Sequence, residues 1–485
     1  MCGIVGIVSD SSVNQQVYDA LALLQHRGQD STGIATADGR SIHVKKAKGQ
    51  VREAFRTRDM RALLGHLGLG HVRYATRGEA ENELEAQPFY VNAPYGIVLV
   101  HNGNLTNSRE LERELATVDH RHVNSGSDTE MLVNVLGSEL QTLVATGALD
   151  ADRVFTAVRR VHERIQGSYG VIALIAGYGM LAFRDPFGIR PLVLGSRRST
   201  KGRTEWMVAS ESVALTGSGF TLERDVRPGE AIFIAPDGEL ITEMTHDSPV
   251  LMPCSFEYVY LARPDSVMNG INVYESRLRM GERLADTIAQ YTPAGNIDVV
   301  MPIPDSSRPA AMEVARRLGI EYREGFYKNR YVGRTFIMPG QAARKKSVKQ
   351  KLNALESEFR GKNVLVVDDS IVRGTTSREI VEMMRSVGTN SVTFTSAAPP
   401  VRYPHVYGIN MPSRAELIAS GRTIPQVNEA LASDFLVYQE VEDLQKAILD
   451  GSSIEGLDLS CFTGEYVTGG VTDEYLEWVE RTQLS

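Results

Sequence analysis

Two stretches of the chain carry residues whose types and spacing point to chemistry. The first is the N-terminus, where Cys2 follows Met1 in MCGIVGIVSD. Removal of Met1 places a thiol and a free α-amino group on one residue. With a reference pKa of about 7.7–8.0, that amine can accept a proton near neutrality and so activate its own thiol. The second stretch is NVLVVDDSIVRGTTS, Asn363 to Ser377. In it Asp368 and Asp369 precede Ser370, Arg373, Gly374, Thr375, Thr376 and Ser377. A glycine that turns backbone N–H groups inward, a row of hydroxyls and a helix start suit an anion. Acids repel a phosphate unless they accept hydrogen bonds from sugar hydroxyls or help to hold Mg2+. A phosphorylated ribose meets all of these demands. An Asp-Asp pair alone would more often be a solvated strand end; the Gly-Thr-Thr-Ser start behind it shifts the balance.

These groups need elements to hold them. Ile4, Val5, Ile7 and Val8 predict a buried strand that fixes Cys2 against fraying. The β-branched run Val364 to Val367 predicts a buried parallel strand with the two acids at its carboxyl end, where open parallel sheets bind ligands. Ile380, Val381, Met384 and Val387 predict the helix that follows. Gly96 to Val100 predicts a strand with Asn102 and Gly103 at its tip, an amide and a backbone N–H fit for an oxyanion hole. Arg73, in GHVRYATRG, offers a planar fork for a carboxylate. Asp128, in SGSDTE, offers a partner for an ammonium. Each signal is weak alone: an arginine is more often in a surface ion pair and Asn-Gly is more often a plain turn. His26, His71 and His101 are read as structural for the same reason.

Strands with turns run from Tyr169 to Glu243, with a basic hairpin at Arg197 to Arg203. The pattern changes near Asp247 to Pro253, after which strands and helices alternate. Val299 to Ile303 is a predicted strand, PDSSRP (Pro304 to Pro309) its loop, and Pro309 suits the start of the next helix. From Phe326 to Leu355 there is no acid, while Lys328, Arg330, Arg334, Arg344, Lys345, Lys346, Lys349 and Lys351 lie there. Gly333, Pro339 and Gly340 interrupt that run, which reads as a basic lid over an anionic leaving group rather than a nucleic-acid patch.

The totals set bounds. A chain of 485 residues exceeds one ordinary core, so two large domains are expected. Hydrophobic residues at 42% and charged residues at 23% fit a globular protein. A net charge of -8 argues against a general nucleic-acid or membrane binder. No apolar run reaches membrane-spanning length and no signal peptide stands at the start. Cys2, Cys254 and Cys461 are far apart and form neither a disulfide framework nor a C-x-x-C pattern, which favours a reducing, cytoplasmic setting.

The first-half motifs, in their order over about 240 residues, resemble the class II, N-terminal-nucleophile (Ntn) glutamine amidotransferase domain. That resemblance implies an α+β fold of two sheets between helices (αββα) and glutamine hydrolysis through a thioester on Cys2. It implies that Asn102 and Gly103 hold the oxyanion, and that Arg73, Asp128 and Gly28 bind glutamine. The Asn363–Ser377 stretch closely resembles the 5-phosphoribosyl-1-pyrophosphate (PRPP) motif of type I phosphoribosyltransferases. This implies an α/β domain with a mainly parallel sheet. Asp368 and Asp369 would face the ribose, Ser370 to Ser377 would hold the 5-phosphate, and Lys328 and Arg334 would reach PRPP. Ser307, Asp368 and Asp369 match that family's magnesium positions.

From Cys2 to about Val467, where CFTGEYVT also fits, the chain resembles the glutamine PRPP amidotransferases. The implied layout is an amidotransferase domain at 2–246, a phosphoribosyltransferase domain at 247–470 and a helical tail at 471–485. The implied reaction releases ammonia from glutamine, channels it to PRPP, and yields 5-phosphoribosylamine, glutamate and pyrophosphate at the first committed step of purine biosynthesis. A homotetramer or dimer inhibited by purine nucleotides is implied as well. Some members carry an iron–sulfur cluster on four cysteines. Here Cys254 and Cys461 match two positions, His405 stands at a third and Cys2 is committed, so no cluster is expected. The cleaved propeptide of some members is likewise not expected here. A glucosamine-phosphate synthase or asparagine synthetase would need a different second half. A non-catalytic PRPP-binding regulator would leave Cys2, Arg73, Asn102 and Asp128 idle.

Overall fold

The computed structural model describes residues 2–74, 83–145, 147–291, 296–328, 352–411 and 413–484. The first half holds β1 (Gly3–Val8), β2 (Ser31–Asp38), β3 (Ser41–Lys48), β4 (Leu67–Arg73), β5 (Phe89–Val91), β6 (Ile97–Leu105) and β7 (Gly167–Ile175). It continues with β8 (Gly179–Arg184), β9 (Val193–Arg198), β10 (Thr204–Ala209), β11 (Thr221–Asp225), β12 (Glu230–Ile234) and β13 (Leu240–Met244). They form two antiparallel sheets, ordered β11-β9-β10-β1-β4-β2-β3 and β13-β12-β8-β7-β6-β5.

Side-chain alternation explains the layering. Ile4 and Val8 of β1 face inward, packing between the sheets with Val98, Val100, Ile172 and Leu174. Val5 and Ile7 point the other way, against Val17, Ala20 and Leu21 of the Asn14–Leu23 helix. On β7 the inner set is Ile172 and Leu174, while Val171, Ala173 and Ile175 face helices Asp128–Val144 and Ala151–Arg164. The result is helix, sheet, sheet, helix. Each buried aliphatic side chain here contributes about 1.5–3 kcal/mol. The basic Arg197–Arg203 stretch is a hairpin between β9 and β10, as its composition predicts.

One expectation is corrected. Asn102 and Gly103 are not at a strand tip. β6 runs through them to Leu105, paired with Gly170 and Tyr169 of β7. Gly103 makes this possible. Its φ is +154°, and a Cβ there would lie 1.9 Å from the carbonyl oxygen of Ser168. Asn-Gly here is a strained strand interior, which local sequence does not distinguish from a turn.

The strands of the second half begin with a small hairpin, β14 (Val267–Met268) and β15 (Ile271–Asn272). Its main strands are β16 (Val299–Pro302) and β17 (Glu321–Tyr322). A two-stranded ribbon follows, β18 (Phe326–Lys328) with β19 (Leu352–Ala354). Then come β20 (Asn363–Asp368), β21 (Ser391–Ser396) and β22 (Phe435–Tyr438). The sheet is parallel, in the order β17-β16-β20-β21-β22. Both faces are covered, so its strands read as continuous apolar runs. Val364 and Val366 pack with Ile380, Val381 and Met384 of the Thr375–Ser386 helix. Leu365 and Val367 pack with Leu284, Ile288, Ala311 and Val314 of helices Val273–Tyr291 and Arg308–Leu318. Strand order reverses between β16 and β20, and a crevice at that switch is where such sheets bind ligands. The predicted tail helix is Asp473–Leu484.

The halves share a core. Ile189 of the first packs with Cys254, Phe256, Tyr258, Val406 and Tyr407 of the second.

Candidate functional sites

The first candidate site gathers around Cys2, which is 8% exposed. Antiparallel pairing of Gly3 with Val72 brings the start of β1 alongside the end of β4. The Cys2 Sγ therefore lies 3.8 Å from the Tyr74 carbonyl oxygen, directly after Arg73. Across the sheets, the Cys2 backbone N–H donates to Asn102 Oδ1 at 3.3 Å. That contact turns the other end of the amide, Nδ2, to a buried position with no hydrogen-bond partner. An unmet buried donor costs about 1–3 kcal/mol. Such a cost is tolerable where a developing negative charge will take the donor up.

The glutamine-binding candidates converge on the same place. Gly28 packs on the β4 backbone so closely that a Cβ would lie 2.5 Å from the Arg73 carbonyl carbon. Arg73 is buried and pairs through Nη2 with Glu85. Asp128 opens the Asp128–Val144 helix, and its Oδ2 accepts from the Leu105 N–H at 3.0 Å, tying it to the strand that carries Asn102. Sequence reading did not find Glu85. It lies twelve residues from Arg73, and no periodicity marks the pair. Burial pushes His71 and His101 below the usual histidine pKa, well below for His71, and so favours neutral rings.

The second candidate site lies at the carboxyl ends of β16 and β20. Burial, and then the neighbouring Asp369, raise Asp368 well above the usual carboxylate range. Burial raises Asp369 too, against the hydroxyls of Ser306 and Ser370 and the guanidinium of Arg277. Two adjacent acids, Asp369 buried and Asp368 partly buried, suit a cation or sugar hydroxyls. Ser370 Oγ donates to Asp369 Oδ1 at 2.8 Å, and the Asp369 N–H donates to Asp368 Oδ1 at 3.0 Å. Ser306, which sequence reading passed over, bonds Asp369 Oδ2 from the β16 loop. Its neighbour Ser307 is buried and donates to the Ile303 carbonyl. Gly374 caps the Thr375–Ser386 helix, so Thr375, Thr376 and Ser377 form its first turn. Arg373 reaches Glu416 at 3.3 Å, and Lys328 pairs with Asp305 at 2.7 Å beside the Pro304–Pro309 loop. Arg334 and most of the proposed lid, 329–351, lie outside the described residues.

A third group joins Cys254, His405 and Asp458, all buried, with ligand atoms within 4.8 Å of one another. His405 Nε2 lies 3.3 Å from both Cys254 Sγ and Asp458 Oδ2. The Tyr407 N–H donates to His405 Nδ1 at 3.2 Å. An accepting Nδ1 leaves the proton of a neutral ring on Nε2, facing Cys254 and Asp458. Burial pushes the Cys254 thiol up to about 12. The thiol, imidazole and carboxylate pack against one another in one buried group.

Comparison with known proteins covers both halves. Residues 71–217 match the glutamine amidotransferase domain family, and residues 272–407 match the phosphoribosyl transferase domain family. A curated amidophosphoribosyltransferase from Pseudomonas aeruginosa is 55% identical over 484 residues, 100% of this chain and 96% of that one. The Escherichia coli amidophosphoribosyltransferase is 52% identical, over 99% of this chain and 95% of its own. Among solved structures, the glutamine PRPP amidotransferase of B. subtilis, complexed with ADP and GMP, superimposes with a TM-score of 0.85 at 36% identity. That match covers 97% of this chain and 98% of the other.

Proposed function

Because this chain belongs to the amidophosphoribosyltransferase family, we propose that Cys2 is the nucleophile of its glutamine half-reaction and that Asp368 and Asp369 grip the ribose of PRPP. The overall activity follows from the family and both domains: glutamine supplies the nitrogen that replaces pyrophosphate on PRPP, in purine biosynthesis. Cys2, freed of Met1, gives its thiol proton to its own α-amine, and the sulfur attacks the side-chain carbonyl of glutamine. The carbonyl oxygen becomes an oxyanion held by Asn102 Nδ2 and the Gly103 N–H. Collapse breaks the C–N bond, and the leaving nitrogen takes the proton back as ammonia. Water then opens the thioester to glutamate. Arg73 and Asp128 bind the α-carboxylate and α-ammonium, with Gly28 leaving room beside them. The observation that carries this reading is the buried, unpartnered Nδ2 of Asn102, on an amide whose other end touches Cys2.

Ammonia passes inside the protein to the second site and attacks the ribose C1 as pyrophosphate leaves. Asp368 and Asp369 would hold Mg2+ or the ribose hydroxyls, with Ser307 at the loop matched to magnesium. Bound Mg2+ would supply charge neutralisation to the departing pyrophosphate. Ser370 to Ser377 hold the 5-phosphate at the helix start, and Lys328, Arg334 and the basic segment face the leaving group. The division into 2–246, 247–470 and 471–485 is part of the same reading. So are a homotetramer or dimer, purine nucleotide inhibitors and a cytoplasmic location. Nucleotides are supported by the B. subtilis complex. Among the described residues no helix is long and apolar enough to cross a membrane.

Cys2→Ala tests the first half. It should abolish glutamine-supported synthesis and leave ammonia-supported synthesis largely intact, with ammonium at high pH restoring product. An unchanged ratio of the two rates means Cys2 is not the nucleophile. The chain is also read as free of an iron–sulfur cluster. Anaerobic purification with metal analysis checks this, and stoichiometric iron with a broad visible absorbance would overturn it.

A further inference from the structure

Arg27 sits directly behind the nucleophile, and its planar fork contacts three different elements. Nε donates to the Cys2 carbonyl oxygen at 3.0 Å. Nη1 pairs with Glu211 of the first half. Nη2 pairs with Glu257 Oε1 at 2.7 Å, and Glu257 belongs to the second half, at the start of a short π-helical turn, Glu257–Leu261. All three side chains are buried. Burial works against the charge of Arg27, yet Glu257 and then Glu211 outweigh it and keep the guanidinium charged. Glu257 also receives Arg190 Nη1 at 3.0 Å, whose Nε holds the Tyr407 carbonyl at 2.7 Å. The turn is fixed from its own side. Arg277 donates through Nε to the Tyr258 carbonyl and through Nη2 to the Ala262 carbonyl, both at 2.8 Å.

We propose that Arg27 and Glu257 are a positioning pair for the glutamine half-reaction, so that a carboxylate of the synthase half sets the orientation of Cys2. The physical ground is the fork. A guanidinium bound at three corners fixes the carbonyl at one of them, and loss of one corner leaves a buried charge free to re-aim. A shift of the Cys2 carbonyl moves the α-amine and thiol of the same residue, and about 1 Å of misplacement costs on the order of a hundredfold in rate. Neither residue touches the reacting atoms. The inference rests on Cys2 being the nucleophile.

The test compares nitrogen sources in the full-length enzyme. Glu257→Gln should lower glutamine-supported kcat/KM by about tenfold or more, mainly through kcat, and leave ammonia-supported synthesis within about twofold. The rate at which iodoacetamide alkylates Cys2, and the pH profile of that reaction, should change with it. Glu257→Asp should recover part of the loss. Arg27→Lys, which keeps the charge but not the fork, should reproduce the Glu257→Gln phenotype, and the double variant should be no worse than either. A glutamine-to-ammonia ratio within twofold of wild type in Glu257→Gln overturns the proposal. A parallel fall of both rates does too, since it marks a merely structural role. If Glu257→Gln is insoluble, the same ratio in Glu257→Asp and Arg27→Lys decides. Cys2→Ala, run beside them, separates the two failures: if it spares glutamine use, the nucleophile assignment falls. If it abolishes glutamine use while the Glu257 and Arg27 variants keep a glutamine-to-ammonia ratio within about twofold of wild type, only this inference falls.

Discussion

The two sites meet opposite electrostatic demands. Beside the Cys2 thiol the polar groups in view are neutral. Asn102 Nδ2 waits without a partner, and the histidines near it, His71 and His101, are pushed toward the neutral form. The Asp368–Asp369 site sets two carboxyl groups side by side, Asp369 buried and Asp368 partly so, which raises both. The first arrangement suits charge that arises during a reaction. The second is set for charge or hydroxyls that arrive with a ligand. A site of the first kind loses rate when a donor is removed. A site of the second kind loses its ligand, and with it every reaction that needs the ligand.

The largest effect should therefore come from the acids. Asp368→Asn with Asp369→Asn should cut phosphoribosylamine formation by at least about a thousandfold with glutamine or ammonia alike, while basal glutaminase chemistry survives. Near-normal synthesis by that variant would break the comparison at its stronger end. A smaller and one-sided effect is expected at the donor site. Asn102→Ala should lower glutamine-supported kcat by about 10²–10³-fold and spare the ammonia-supported rate. Equal losses with both nitrogen sources would mean that Asn102 serves the fold and not the oxyanion.

Much of this contrast was legible in the chain itself. Val364 to Val367 betrays a doubly covered strand because nothing polar interrupts it, and the acids behind it then fall at the sheet's switch point. Residue order also places Cys2 on a buried strand. Asn102 was misplaced because an Asn-Gly pair signals a turn locally, whereas its conformation here is imposed by Ser168 on the neighbouring strand. Glu257 could not be read at all. It meets Arg27 across 230 residues, and neither has a local pattern that names the other. Ser306 was lost to its neighbour Ser307, since adjacent hydroxyls in a loop differ only in where the backbone aims them.

The mildest prediction concerns pH. In the ligand-free protein the raised carboxyls favour the fold while protonated, and that contribution is lost as pH rises through their raised pKa values. Binding that needs both acids ionised must then release protons. Binding of PRPP with Mg2+ should therefore tighten as pH rises from mildly acid to neutral, by up to about tenfold per unit for each proton released. Titration calorimetry in two buffers of different ionisation enthalpy reads the proton count. Asp368→Asn should lower it, and an unchanged count would show that the pair binds its ligand without a change of protonation.

The segment from His405 to Gly408 bears on how the chain can be taken apart. The Asn104 side chain donates to the Val406 carbonyl at 2.8 Å, and Ser168 Oγ to that of Tyr407 at 2.9 Å. Gly408 lies directly against the Gly103 carbonyl. Cutting the polypeptide at residue 246 would leave these donors without acceptors and uncover Ile189. A fragment of the first half made that way would lack the backing of the strand that carries Asn102 and Gly103. Swapping the first half into another enzyme would meet the same obstacle and would also part Arg27 from Glu257. Exchange of either half would therefore break the bonds of this segment and the Arg27–Glu257 pair at once.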